Sequence, residues 1–115
     1  MTEEIRTSYI DEGQLHGWDH GEVPSALFLD PDIAHISVRL FAYLQWRAGK
    51  SGSCFPGIPR MAADLDVSEP TIKNSLHELI AADWIRRKRR LGTSTLTHVF
   101  ERQDDCRQWD NGLSN

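Results

Sequence analysis

A chain of 115 residues with 39% hydrophobic side chains has room for one domain with a modest core and flanking segments. No apolar run approaches the length of a membrane span, and the acidic N-terminus lacks the basic start of a signal peptide, so a soluble, cytoplasmic protein is expected. The net charge of −4 hides a division: residues 1–36 carry −7, residues 37–103 carry +5, and residues 104–115 carry −2. A basic middle bracketed by acidic ends is the pattern of a polyanion-binding module with acidic appendages.

Residues 1–22 form an acidic arm that also holds Ile5, Tyr9, Ile10, Leu15 and Trp18, more apolar groups than a purely solvating segment needs. Two roles follow: a homodimer contact, or docking on the same chain to shield its basic surface. Within the arm, "HGWDH" sets His16 and His20 four apart, with Asp19 between them. Gly17 and Gly21 oppose the helix that would aim both imidazoles at one metal, so no metal site is expected. No cofactor or enzymatic activity is expected either. His35 and His98 are isolated, there is no phosphate-binding glycine loop, and neither Cys54 nor Cys106 has an activating partner in sequence. The cysteines belong to no CxxC pair and read as reduced thiols.

The elements follow in chain order. "EVPSALFLDPD" reads as a short extended stretch and a turn at Asp30-Pro31, because Pro31 disfavours helix at Asp30. Ile36, Leu40, Phe41, Leu44 and Ala48 recur at helical spacing and predict a first helix ended by "AGKSGS". "CFPG" allows only a very short strand. Pro59 opens a second helix with Met61, Ala62 and Leu65 inward, broken at Asp66-Val67.

Ser68 then caps a third helix, with Glu69 near its positive end and Pro70 tolerated in the first turn. Ile72, Ser75, Leu76, Leu79 and Ile80 share one stripe, so Glu69, Lys73, Asn74 and His77 face away from the core, and the helix ends near Asp83. Two short helices joined by a tight turn, with a polar outward face on the second, make a helix-turn-helix. "WIRRKRR" and "TLTHVF" flank "LGTS" and predict a hairpin, with Gly92 in its turn. Only Trp84 and Ile85 look anchored, which predicts a projecting basic finger, a wing. Phe41, Phe55, Trp84 and Phe100 are expected in the core, together with Ile72, Leu76, Leu79 and Ile85. The tail 104–115, with Cys106 and Trp109, is short and polar, a composition that fits a disordered end.

Over roughly residues 23 to 102 the chain resembles the winged helix-turn-helix domains of bacterial, plasmid and phage regulators and replication initiators. The likeness rests on "VPSALFLDPD", "CFPGIPRMAADLDVSEPTIKNSLHELIAADWIRR" and "THVF". That family's core reads Phe-Pro-Ser-Ile, a leucine-alanine helix, Gly-Val-Ser, Thr-Val and a closing Leu-x-x-x-Gly-Trp-Ile. The fold expected is mainly α with a small β-hairpin (α+β): a three-helix core plus a two- to three-stranded wing, in a domain 23–103 between the arm and the tail.

Asp66 and Asp83 stand where the family places glycines, and both positions are expected at positive φ. Replacing either by Gly is therefore expected not to unfold the protein and to favour stability. Glu69 stands where a basic or small polar residue is common; it caps the helix or accepts from a cytosine amino group.

The resemblance implies double-stranded DNA as partner and a small, repressor-like transcriptional regulator of a mobile element. A replication or copy-control role is an alternative, as is a protein-interaction domain that binds an acidic partner. It places Lys73, Asn74 and His77 at base edges and Arg86, Arg87, Lys88, Arg89 and Arg90 on the backbone or in the minor groove. Arg60, Ser68, Thr71, Thr93, Ser94 and Thr95 are then phosphate-contact candidates.

Overall fold

The computed structural model describes residues 20–90 and 95–113; the arm through Asp19 and the wing tip at 91–94, with Thr93 and Ser94, lie outside the described residues. Along the chain run α1 (Ser25–Phe28), α2 (His35–Ala48), a 3-10 turn (Gly49–Ser51), β1 (Ser53–Cys54), α3 (Ile58–Leu65), α4 (Glu69–Ala81), β2 (Ile85–Lys88), β3 (Leu96–Val99) and α5 (Gln103–Leu113). The strands form one antiparallel sheet in the order β1-β3-β2. This is an α+β winged helix-turn-helix, with a wing of three strands.

The stretch expected to be extended before Asp30 is instead a single helical turn, α1. Pro24 fixes its own φ and its carbonyl accepts from the N–H groups of Leu27 and Phe28, which lets Leu27 enter the core fully buried. The turn at Asp30-Pro31 forms as expected: the Asp30 carboxylate accepts from the Asp32 N–H at 2.9 Å, and the Asp30 carbonyl from the Ile33 N–H at 3.3 Å.

Helix α2 buries Ser37, Leu40, Phe41, Leu44, Gln45 and Ala48, while Ile36 is only partly covered. Its N-cap, Ala34, has no capping side chain, and Glu78 of α4 substitutes. The Glu78 Oε1 accepts from the Ala34 N–H at 3.1 Å and from the Ser37 hydroxyl at 2.5 Å. A carboxylate at the positive end of α2 thus ties two helices together.

The core is Leu40, Phe41, Leu44, Met61, Leu65, Ile72, Leu76, Leu79, Trp84 and Ile85, closed by Leu27 from α1. Phe41 meets Trp84 edge-to-face, with ring centroids 6.0 Å apart. Phe55 departs from its expected place: it is 46% exposed, because Cys54 takes the inward position of β1 and the next residue must turn outward. The Arg90 guanidinium lies over its ring, 5.1 Å from the centroid. Phe100 is buried as expected, though on the side of the sheet that α5 covers.

The C-terminal end is the largest difference from expectation. Residues 103–113 are helical, with Cys106 fully buried and Trp109 stacked on His98 of β3, ring centroids 4.6 Å apart and 19° between planes. His98, Phe100 and Trp109 form an aromatic cluster on the outer face of the sheet. The base of the hairpin therefore does have an apolar face, covered by α5. Both cysteines are free thiols and buried.

Candidate nucleic-acid interface

The turn between α3 and α4 is built as its residues dictate. Asp66 closes α3 in the left-handed region, at φ 58° and ψ 50°, with the Val67 N–H returning to the Ala62 carbonyl at 3.1 Å. Ser68 then takes an extended conformation and its Oγ accepts from the Thr71 N–H at 3.2 Å, while the two hydroxyls lie 2.8 Å apart. The cap sets the direction of α4, and the buried stripe Ile72, Ser75, Leu76 and Leu79 sets its rotation. Glu69, Lys73, Asn74 and His77 are consequently all exposed. Glu69, Lys73 and His77 form one ridge at four-residue spacing, and Asn74 stands beside Lys73.

The chain then passes from α4 into β2. Asp83, at φ 65°, reverses the chain after α4, and the Trp84 N–H donates to the Leu79 carbonyl at 3.0 Å. The basic run then divides into unlike members. Arg86 is turned back onto the helix end: its Nη1 donates to the carbonyls of Ile80 at 3.1 Å and Ile85 at 3.0 Å, and its Nη2 to the Asp83 carboxylate at 2.8 Å. Arg87 points inward, donating from Nε to the buried Thr97 hydroxyl at 3.1 Å, and burial lowers its pKa. A guanidinium keeps its proton in such a site. Lys88 and Arg89 are exposed, and Arg90 lies over Phe55. Thr95 is partly exposed at the start of β3.

Arg60 in α3 pairs with Asp64 at 3.0 Å, and the Tyr43 hydroxyl donates to the same carboxylate at 2.6 Å. The structure therefore exposes Lys73, Asn74, His77, Lys88 and Arg89, and holds Arg60, Arg86 and Arg87 in internal contacts. Glu78 had no sequence signal as a functional residue; its spacing of four from Asn74 put it near the polar face, but its partner on α2 is 41 residues away. It borders an open groove of about 290 Å³ that Ala34, Ile36, Thr71 and Asn74 also line.

Among the described residues no helix is long and apolar enough to cross a membrane. Comparison with curated proteins and with solved structures returned no significant match. Residues 33–85, which span α2, β1, α3, α4 and the start of β2, match the family model described as a helix-turn-helix domain, and its two helices and turn correspond to Ile58–Ala81.

Proposed function

We propose that the chain is a sequence-specific, double-stranded DNA-binding protein that acts as a small, repressor-like transcriptional regulator of a phage, plasmid or other mobile element. The observation that carries this reading is the exposed ridge of α4 continuing into a basic strand at its C-terminal end. An α-helix fits the major groove, where each base pair presents a distinct set of donors and acceptors. Asn74 suits paired hydrogen bonds to adenine and Lys73 suits guanine, each worth roughly 1 to 3 kcal/mol of discrimination. Glu69 would accept from a cytosine amino group, and His77 lies one turn further along the helix. Ser68 and Thr71 at the cap, with Thr93, Ser94 and Thr95 in the wing, supply hydroxyls for phosphates.

Lys88, Arg89 and Arg90 supply the counterion-displacing charge, each phosphate contact adding about 0.9 to the magnitude of the salt slope. Occupying an operator suffices for repression, and a dimer reading paired half-sites about 34 Å apart would raise its selectivity. The mobile-element setting rests on the resemblance to phage and plasmid regulators alone.

The test is selection of bound fragments from a random duplex pool, run in parallel for the wild type and for a Lys88→Ala/Arg89→Ala variant. A recovered motif, with affinity reduced in the variant, is the expected result. No enrichment and no salt-dependent retention of the wild type would overturn the reading and put an acidic protein partner in its place.

A further inference from the structure

Asp83 stands at a junction of three elements. Its backbone closes α4 in the left-handed region, where glycine would be the easier residue. Its side chain earns that position by holding two cations: Oδ1 accepts from Arg86 of β2 at 2.8 Å and Oδ2 from Arg107 of α5 at 2.9 Å. The C-terminal carbonyls of α4 are served by the same two elements. Arg86 donates to the Ile80 carbonyl and Gln103 donates to the Ala82 carbonyl, at 2.7 Å. Arg107 is further held by Asp104 at 3.0 Å. The hydrogen bonds from Arg86 and Arg107 keep the Asp83 carboxyl below the usual carboxylate range.

Resting on the DNA-binding reading above, we propose that Asp83, Arg86 and Arg107 form a latch that fixes the wing against the recognition helix. Arg86 is then a positioning residue, serving DNA affinity through the placement of Lys88 and Arg89 and not through a phosphate contact of its own. Its side chain is only 15% exposed. Turning it toward a phosphate would break three hydrogen bonds and leave the Asp83 carboxylate and the last carbonyls of α4 without a donor from the wing. Lys88, two residues further along the same strand face, is exposed and meets none of these costs.

The two roles predict opposite signs. If Arg86 touches phosphate, Asp83→Asn releases a cation and removes a repelling charge, so DNA binding tightens; Arg86→Lys, which keeps a phosphate-binding charge, is nearly silent. If the latch operates, both variants weaken binding, because a neutral amide holds the arginines less well and a lysine lacks the planar fork that reaches two carbonyls and a carboxylate together.

The experiment is anisotropy titration of the full chain with a labelled mixed-sequence duplex between about 50 and 200 mM salt. It uses the wild type, Asp83→Asn, Arg86→Lys, Lys88→Ala and the Arg86→Lys/Lys88→Ala double variant, each confirmed folded at the assay temperature by circular dichroism. Asp83→Asn and Arg86→Lys are each expected to bind about three- to fivefold more weakly. Lys88→Ala should lower the salt slope by about 0.9 in the wild type and by clearly less in the Arg86→Lys background, an effect that general destabilisation would not produce.

Unchanged or tighter binding by Asp83→Asn, or wild-type binding by Arg86→Lys, overturns the latch alone. A wild type with no salt-dependent duplex binding overturns the DNA reading, and the latch's role in it.

Discussion

Two aspartates in this chain hold backbone conformations that most side chains avoid, and they do so for different reasons. Asp66, at φ 58°, is exposed, and no side-chain hydrogen bond or ion pair rewards it among the described residues. Its carboxylate is dispensable to the turn, which the Val67 N–H closes on the Ala62 carbonyl. Asp83, at φ 65°, uses its carboxylate on Arg86 and Arg107. Asp66→Gly should therefore raise stability by about 0.5 kcal/mol, the relief of the left-handed strain less the added entropy of glycine in the unfolded chain. Asp83→Gly should gain nothing and melt at or below the wild type, since the same relief is offset by the loss of both ion pairs. The sequence-based expectation treats the two substitutions alike, because the sequence shows that a residue stands at a glycine position but not what its side chain touches. Urea unfolding of the two variants side by side checks the difference, and equal shifts would refute the assignment of Asp83.

The helix-turn-helix itself was legible because each of its parts has a local signal. The stripe from Ile72 to Leu79, the Ser68 cap and the tolerated Pro70 all act within one or two turns. The C-terminal helix was not, since "QDDCRQWDNGL" offers few apolar groups, and what holds it is remote: Cys106 buried in its docked face, Trp109 on His98, Gln103 on Ala82 and Arg107 on Asp83. The differences within the basic run are not legible for the same reason. Five consecutive cations look equivalent in sequence, yet two of them are spent on a helix end and on Thr97.

The docked helix has a consequence for acid stability. His98 lies beneath Trp109 with its Nδ1 buried and without a hydrogen-bond partner among the described residues, and burial lowers its pKa. An unfolded chain takes up the proton near about pH 6.5, whereas the folded imidazole resists it to lower pH. In that window the unfolded state binds more protons, so stability falls as the pH drops below about 6.5. Thermal melts of the wild type and His98→Phe between about pH 7.5 and 5.5 should show a drop that the variant largely lacks. Parallel pH profiles would mean that the histidine is not the group responsible.

At the scale of the whole molecule, charge and anchoring point to a role for the arm. Residues 1–19 hold five acids and one base, a charge of −4 that is the entire net charge of the chain, so residues 20–115 balance at zero, with five of their twelve cations consecutive at 86–90. The described chain starts from a fixed point on α2. At Gly21 a Cβ would collide with the Ala42 carbonyl oxygen, and the Glu22 N–H donates to the buried Gln45 at 2.7 Å. A chain beginning at His20 keeps this anchor and every core contact among the described residues, so removing residues 1–19 should leave a folded domain with a cooperative melting transition.

Its effect should fall on binding instead. Four net negative charges tethered to a DNA-binding domain oppose the approach of phosphates, whether the arm contacts the basic surface or only accompanies it. The truncated chain should bind duplex more tightly at low salt. The advantage should shrink as the screening length falls from about 10 Å at 0.1 M salt toward about 3 Å at 1 M. If the arm instead supplies a dimer contact, the truncated chain should lose affinity for paired half-sites and sediment at lower mass than the full chain. Titrations of both chains against the selected duplex across that salt range separate the two roles by the sign of the change at low salt. Identical isotherms throughout would deny the arm both.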